Sequence, residues 1–204
     1  MRNLPRNILL IQGANMAYLG RRQPELYGTT TARELDALLH AFAAERNCAL
    51  TITYTHLEGE AIRRIYEAVD EGCDGLLMNP AGFTYAGYAL RDCLRAVPFP
   101  YVEVHMTNLD KRGMHSVTAE AAVGALFGFG VRSYTLGLEA LLQHLAERDG
   151  PARGVKAAPA HDPGGRTSGH DPARRIQRHG PAKRSRWRAA RSRAKPPART
   201  RRGR

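Results

Sequence analysis

Cysteine is scarce in this chain. Cys48, Cys73 and Cys93 are the only three in 204 residues, and none forms a CxxC pair. That argues against a disulfide framework and against a zinc site, and points to buried structural thiols in a reducing compartment. Long apolar runs are also missing, and nothing approaches the length of a membrane span. The N-terminal MRNLPRNILLIQ has too short an apolar run for a signal peptide, and no small-residue cleavage site follows it. A soluble cytoplasmic protein is the expectation. No phosphate-binding glycine fingerprint and no cluster of metal ligands is present, so neither cofactor nor metal is expected.

Acidic charge is almost absent from one end. From Pro151 onward there are 17 Lys and Arg against 2 Asp and Glu, which leaves 14 basic and 17 acidic residues in 1–150. All of the formal net charge of +12 therefore belongs to the tail, and the body is slightly acidic. Beyond Val155, Ile176 and Trp187 the tail has almost no large apolar residue. It has too little surface to bury against its ordering entropy, so 151–204 is expected to be disordered and 1–150 to be the folded domain. A basic segment of this kind suits nucleic acid or another polyanion through phosphate contacts without sequence preference. An arginine-rich extension without an ordered role is the plainer account. A body of 150 residues is long enough to bury roughly 70% of its unfolded surface.

What the body does have is alternation of short apolar strands with amphipathic helices. Ile8–Ile11 reads as a strand covered on both faces, and it runs into a long loop punctuated by Gly13, Gly20 and Gly28. Thr29–Thr31 offer N-cap hydroxyls to a helix over 32–46, whose apolar face is Leu35, Leu38, Leu39 and Phe42. Cys48–Thr55 alternates as an edge strand does. A helix follows with Ala61, Ile62, Ile65, Tyr66 and Val69 on one face and Gly72 at its stop. Gly75–Met78 is a third strand, ending at Asn79. The next helix presents Ala89, Leu90, Cys93, Leu94 and Val97 and ends at Pro98. Tyr101–Val104 is a fourth strand, whose two-residue period puts Glu103 and His105 on one side. A fifth strand is expected at Val131–Leu136, and a last helix at Gly137–Arg148.

Strand and helix units of about thirty residues predict right-handed βαβ crossovers, hence an α/β, doubly wound, parallel five-stranded sheet with helices on both faces. Ligands of such sheets bind outside the carboxyl ends of the strands, near a switch point. Asn15 and Tyr27 follow the first strand, Asn79 and Tyr85 the third, and His105–Asn108 the fourth. Asparagine, arginine, tyrosine and histidine at one rim suit proton abstraction beside a carbonyl. A tyrosine acts as base only if its ordinary pKa of about 10 is lowered, which a neighbouring guanidinium does, and Arg22 is the obvious partner. His105 is the complementary acid.

The segments QGANMAYLGRRQPELYG, LEGEAI, NPAGFTYAGYALRD and PYVEVHMTN closely resemble those of type II 3-dehydroquinate dehydratases, in the same order, over about residues 7–147. The resemblance implies a flavodoxin-like subunit, assembled as trimers into a dodecamer. It implies anti elimination of water from 3-dehydroquinate to 3-dehydroshikimate through an enolate, without cofactor or metal, in the shikimate pathway or in quinate breakdown. Carried over by position, Tyr27 is similar to the base that takes the proton α to the carbonyl, with Arg22 holding it ionised. Asn15 resembles the residue that positions a water at the enolate oxygen. His105 resembles the acid that protonates the departing hydroxyl, and Glu103 would orient it. Asn79 and the backbone of Met106 and Thr107 resemble the carboxylate cradle. Asp92 resembles a hydroxyl-contacting carboxylate given at a subunit contact.

There are departures. The family's Asn-Gly-Pro-Asn is here Gln12, Gly13, Ala14 and Asn15; Tyr85 stands where the family has a substrate-contacting histidine; and His56 replaces a small amide. The loop after Asn108 is shorter than the family's, and Arg112 is the nearest counterpart of the arginine that closes over substrate. Each residue taken singly also has a plain structural account, as a packed loop aromatic, a solvated charge, a turn asparagine or a satisfied histidine. Three functions therefore stand side by side: the dehydratase, an impaired or altered-specificity relative binding a cyclic polyol carboxylate, and a polyanion-binding protein acting through its tail.

Overall fold

A computed structural model describes residues 5–150, and the expectations for 151–204 lie outside the described residues. Five strands, β1 (Arg6–Ala14), β2 (Cys48–Tyr54), β3 (Gly75–Ala81), β4 (Tyr101–His105) and β5 (Gly124–Phe127), form one sheet in the order β2-β1-β3-β4-β5. Every neighbouring pair is parallel. This is the flavodoxin-like order, with its switch point between β1 and β3.

The helices are α1 (Pro24–Tyr27), α2 (Ala32–Ala44), α3 (Glu58–Asp70), α4 (Tyr88–Ala96) and α5 (Arg132–Asp149). Along β1 the side chains alternate: Ile8 and Leu10 enter the core under α2 and α5, while Leu9 and Ile11 enter the core under α3 and α4. All four are buried, which is why this strand reads as an unbroken apolar run. Each such side chain contributes about 1.5–3 kcal/mol of transfer free energy. Helix α2 starts with a reciprocal cap, since Glu34 N–H donates to Thr31 Oγ1 at 3.2 Å and Thr31 N–H donates to Glu34 Oε2 at 2.8 Å. Gly72 adopts φ 71° just beyond α3, as its position after the helical face predicts.

Several sequence expectations are corrected. The fifth strand lies at Gly124–Phe127, not at Val131–Leu136, which instead forms the linker and first turn of α5. The apolar alternation of 131–136 is a helical face: Tyr134, Leu138, Leu141 and Leu145 are all buried against the sheet. Gly137 permits the approach, because a Cβ there would lie 2.4 Å from Val104 Cγ1. Strand β5 is short and half exposed, so its residues carry no inward apolar pattern to read. Strand β3 continues through Asn79 to Ala81, placing Asn79 within the strand. Ala89, Leu38 and Tyr66 are exposed rather than core-facing. β2 is an edge strand, as expected. Among the described residues no helix is long and apolar enough to cross a membrane.

Candidate active site

The first and third strands end against each other. A Cβ on Gly13 would sit 2.2 Å from the Pro80 carbonyl oxygen, so only glycine lets the end of β1 lie this close to β3. On the other side of this contact Ala81 is held at φ 47°, ψ −109°, where its N–H donates to Asn79 Oδ1 at 3.1 Å. A non-glycine residue in that region is strained, and the fold maintains it through the turn that Asn79 caps. Ala81, Gly82, Thr84 and Tyr85 then form one wall of a cavity beyond the strand ends.

The loop after β1 supplies the opposite wall. Pro24 starts the single turn of α1, and Gly28 ends it at φ 79°, which brings Tyr27 back over the strand ends. The Arg22 guanidinium lies over the Tyr27 ring, 4.8 Å from its centroid. Arg112 approaches the other functional end of the phenol: its Nη1 donates to Tyr27 Oη at 3.3 Å and to Thr107 Oγ1 at 2.9 Å. Two cations therefore face the side chain expected to carry negative charge, one on the ring and one on the hydroxyl.

Strand β4 contributes His105, which ends buried at the cavity floor with Nε2 2.6 Å from Glu103 Oε1. Glu103 is wholly buried. Burial alone would raise its pKa. Hydrogen bonds from His105, Ser116 and Tyr101, together with the charge of His105, outweigh that and hold the carboxyl below the ordinary range. An ionised carboxylate only accepts, so the imidazole Nε2 must donate and Nδ1 is the nitrogen left for a ligand.

The cavity thus gathers Arg22, Tyr27, Asn79, Tyr85, His105, Met106, Thr107 and Arg112, all named from the sequence. Glu103 stands behind His105. Asn15 is beside the cavity rather than in its wall: it is exposed at φ 75°, its backbone N–H donates to His56 Nδ1 at 3.0 Å, and its amide nitrogen lies near Gly82. His56 therefore helps to fix the turn that presents Asn15. Asp92 is exposed on α4 and is not in the cavity of its own subunit. The cavity itself is about 40 Å³, since Arg112 rests on Tyr27, and Tyr85 Oη reaches Met114 Sδ at 3.7 Å across the opening.

Sequence reasoning missed two sets of supporting residues. Tyr101 and Thr118 donate to Glu103 Oε2 at 2.6 and 2.7 Å. Tyr101 was signalled by the same strand period that paired Glu103 with His105, whereas Thr118 comes from a loop with no periodicity. Gln12 and Tyr134 form the second set, with Asn79 Nδ2 donating to Tyr134 Oη and Tyr134 donating to Gln12 Oε1, both at 2.8 Å. No sequence signal joins residues so far apart. Among the described residues no three His, Cys, Asp or Glu side chains gather as metal ligands.

A family model described as "Dehydroquinase class II" matches residues 6–142. The 3-dehydroquinate dehydratase of Thermus thermophilus is 44% identical over 141 residues, covering 68% of this chain and 95% of the relative. That of Carboxydothermus hydrogenoformans is 43% identical over 153 residues, covering 74% and 99%. The crystal structure of a type II dehydroquinase from Butyrivibrio crossotus superposes with a TM-score of 0.66 at 30% identity, covering 68% of this chain and 98% of that one.

Proposed function

The chain belongs to the class II dehydroquinase family, a family of hydro-lyases, and from that premise we propose how its residues divide the work of 3-dehydroquinate dehydration. Its activity is the 3-dehydroquinate dehydratase reaction. The observation that carries the division of roles is the opposition of Tyr27, under two guanidinium groups, to His105, backed by Glu103, across one small cavity.

Tyr27 takes the proton next to the substrate carbonyl, and Arg22 and Arg112 stabilise the negative charge it must first carry. Asn15 positions a water against the enolate oxygen. His105 gives a proton from Nδ1 to the departing hydroxyl, while Glu103 holds the ring by Nε2. Asn79, with the backbone of Met106 and Thr107, receives the substrate carboxylate. The contacts of Arg112 with Tyr27 Oη and of Tyr85 with Met114 narrow the cavity, and both are given up as substrate enters. Arg112 then exchanges its bond to the phenol for one to the substrate, which is the closing role expected of it.

The exposed Asp92 and Tyr88 on α4 suit a subunit contact, consistent with trimers assembling to a dodecamer in which Asp92 meets a neighbour's cavity. Sedimentation or light scattering measures that assembly. The cytoplasm suits Cys48, Cys73 and Cys93, which are all free thiols. Residues 1–150 form the catalytic domain, and 151–204 a basic extension whose polyanion binding is tested by truncation after Gly150. The appearance of 3-dehydroshikimate absorbance on mixing protein with 3-dehydroquinate tests the assignment of roles when run beside Tyr27→Phe and His105→Gln. Wild-type turnover with both variants inactive supports it; a Tyr27→Phe enzyme with wild-type kcat overturns it.

A further inference from the structure

Glu103 is bound more fully than a carboxylate needs to be if its sole task is to point a histidine. His105 takes Oε1, and Oε2 accepts from both Tyr101 Oη and Thr118 Oγ1. Thr118 is itself fixed by Ser116 Oγ at 3.1 Å. Tyr101 and Thr118 are almost completely buried, so neither hydroxyl is satisfied by bulk water, and each directs its hydrogen at the same oxygen. We propose that Tyr101 and Thr118 are positioning residues that keep the proton of the Glu103–His105 pair on the imidazole, and so keep His105 able to act as an acid.

The reason is a competition inside the pair. With one shared proton the pair is either carboxylate with imidazolium or carboxylic acid with neutral imidazole. Burial favours the second, because it contains no charge. Two hydroxyl donors on Oε2 favour the first, because a charged acceptor gains more from each bond than a neutral one. The phenol of Tyr101 cannot reverse its role, as burial and the adjacent Glu103 push its own ionisation well up and leave it a donor. Other groups on this side of the sheet do not compete. Helix α4 brings Cys93, whose thiol is raised by burial and stays neutral, and Arg91, whose charge pairs with Glu120 at 2.8 Å. Helix α3 presents Ala61, Ile65 and Ala68.

This rests on the reading of His105 as the acid, and the test separates the two. Tyr101→Phe and Thr118→Val remove one hydroxyl each at constant volume, and Thr118→Ser restores the donor. Steady-state kinetics should show kcat at neutral pH down roughly tenfold, with KM little changed, in Tyr101→Phe and in Thr118→Val, and near wild type in Thr118→Ser. The loss should lower the plateau of the kcat profile, since a proton that moves from imidazole to carboxylate within the pair changes no proton count. Infrared difference spectra, with the Glu103 band assigned by Glu103→Gln, should show an ionised carboxylate in wild type and a protonated carboxyl gained in Tyr101→Phe. A wild-type band and an undiminished plateau in both hydroxyl-deleted variants overturn the proposal, as does a drop in melting temperature with kcat unchanged. If wild type fails to turn over 3-dehydroquinate, the catalytic reading falls, while the infrared comparison still decides where the proton resides.

Discussion

Tyr134 on α5 and Asn79 on β3 are joined by a 2.8 Å hydrogen bond, from Asn79 Nδ2 to Tyr134 Oη, in a fully buried position behind the cavity. The phenol passes its own hydrogen to Gln12 Oε1, so one hydroxyl ties the third strand, the first strand and the last helix together at the strand ends. One N–H of the Asn79 amide is spent in this way, and its oxygen is spent on Ala81 N–H. The remaining N–H is what Asn79 has for a ligand. Tyr134→Phe takes this partner from one Asn79 N–H and from the Gln12 oxygen, and should cost about 1–3 kcal/mol of stability in urea unfolding. Asn79 is then held by the Ala81 N–H alone, so KM for 3-dehydroquinate should rise roughly fivefold, worth about 1 kcal/mol, with kcat much less affected.

The two arginines at Tyr27 should separate in a kinetic experiment. Arg22 sits on the ring and Arg112 on the hydroxyl, and Arg112 is the one proposed to exchange this bond for substrate. Tyr27→Phe keeps the ring and its stacking with Arg22 but removes the base, so kcat should fall by about 10²–10⁴ with KM nearly constant. Arg112→Ala removes a substrate contact as well, and its loss should appear in KM and kcat together. Equal effects on KM and kcat in Tyr27→Phe would count against its role as base.

Gly13 and Ala81 form a stability pair with opposite signs. A methyl on Gly13 meets the Pro80 oxygen, which is backbone and has no rotamer to give, so Gly13→Ala should cost at least about 2 kcal/mol and lower the melting temperature. Ala81→Gly relieves a strained φ of 47° worth about 1–3 kcal/mol, against the entropy cost of glycine of about 0.5–1 kcal/mol. Its melting temperature should hold or rise. Its KM should rise, because the turn that lines the cavity is no longer held in one conformation.

The residues that line the cavity were legible because they lie at the ends of periodic segments, and the period says which way they face. His105 and Glu103 follow from the two-residue repeat of β4, and Tyr27 and Arg22 from a glycine-rich loop after a buried strand. Position along the chain was less legible than type. Residues 131–136 alternate as a strand would, yet packing of Tyr134 and Leu138 on the sheet makes them helical, and tertiary burial overrides local pattern. β5 escaped because an exposed edge needs no inward stripe. The partners of Glu103 and Asn79 escaped for a different reason: a hydrogen bond between Thr118 and Glu103, or Tyr134 and Asn79, is set by the close packing of distant segments and leaves no periodic trace.

Acid unfolding should bear the mark of Glu103. Its carboxyl is held below the ordinary glutamate range, because bonds from His105, Ser116 and Tyr101 overcome the burial that opposes them. A group whose folded pKa is depressed contributes stability that is fully present above its unfolded value and is lost as pH falls through the folded one. The stability of wild type should therefore decline below about pH 4.5 with a slope that includes this proton uptake. Glu103→Gln should be less stable at neutral pH, with a shallower decline in that acid range. Parallel curves from urea titrations across pH would remove Glu103 from the account of acid sensitivity.

Tyr85 is the cavity residue with least to hold it. It is 63% exposed, and its hydroxyl has a thioether as partner, a weak acceptor at 3.7 Å. Its ring lines the cavity and its hydroxyl meets Met114, another lining residue, so in the proposed reaction it swings outward as substrate enters. A phenol carries its hydroxyl further from the backbone than an imidazole carries its ring nitrogens. Tyr85→His shortens the side chain, keeps a donor and opens the entrance. KM for 3-dehydroquinate should fall severalfold, corresponding to one recovered hydrogen bond of about 1 kcal/mol, while kcat stays within about a factor of two, because residue 85 touches neither Tyr27 nor His105. A rise in KM would mean that the Tyr85 phenol already contacts substrate in the open cavity, and that the tyrosine is a working part of recognition in this chain.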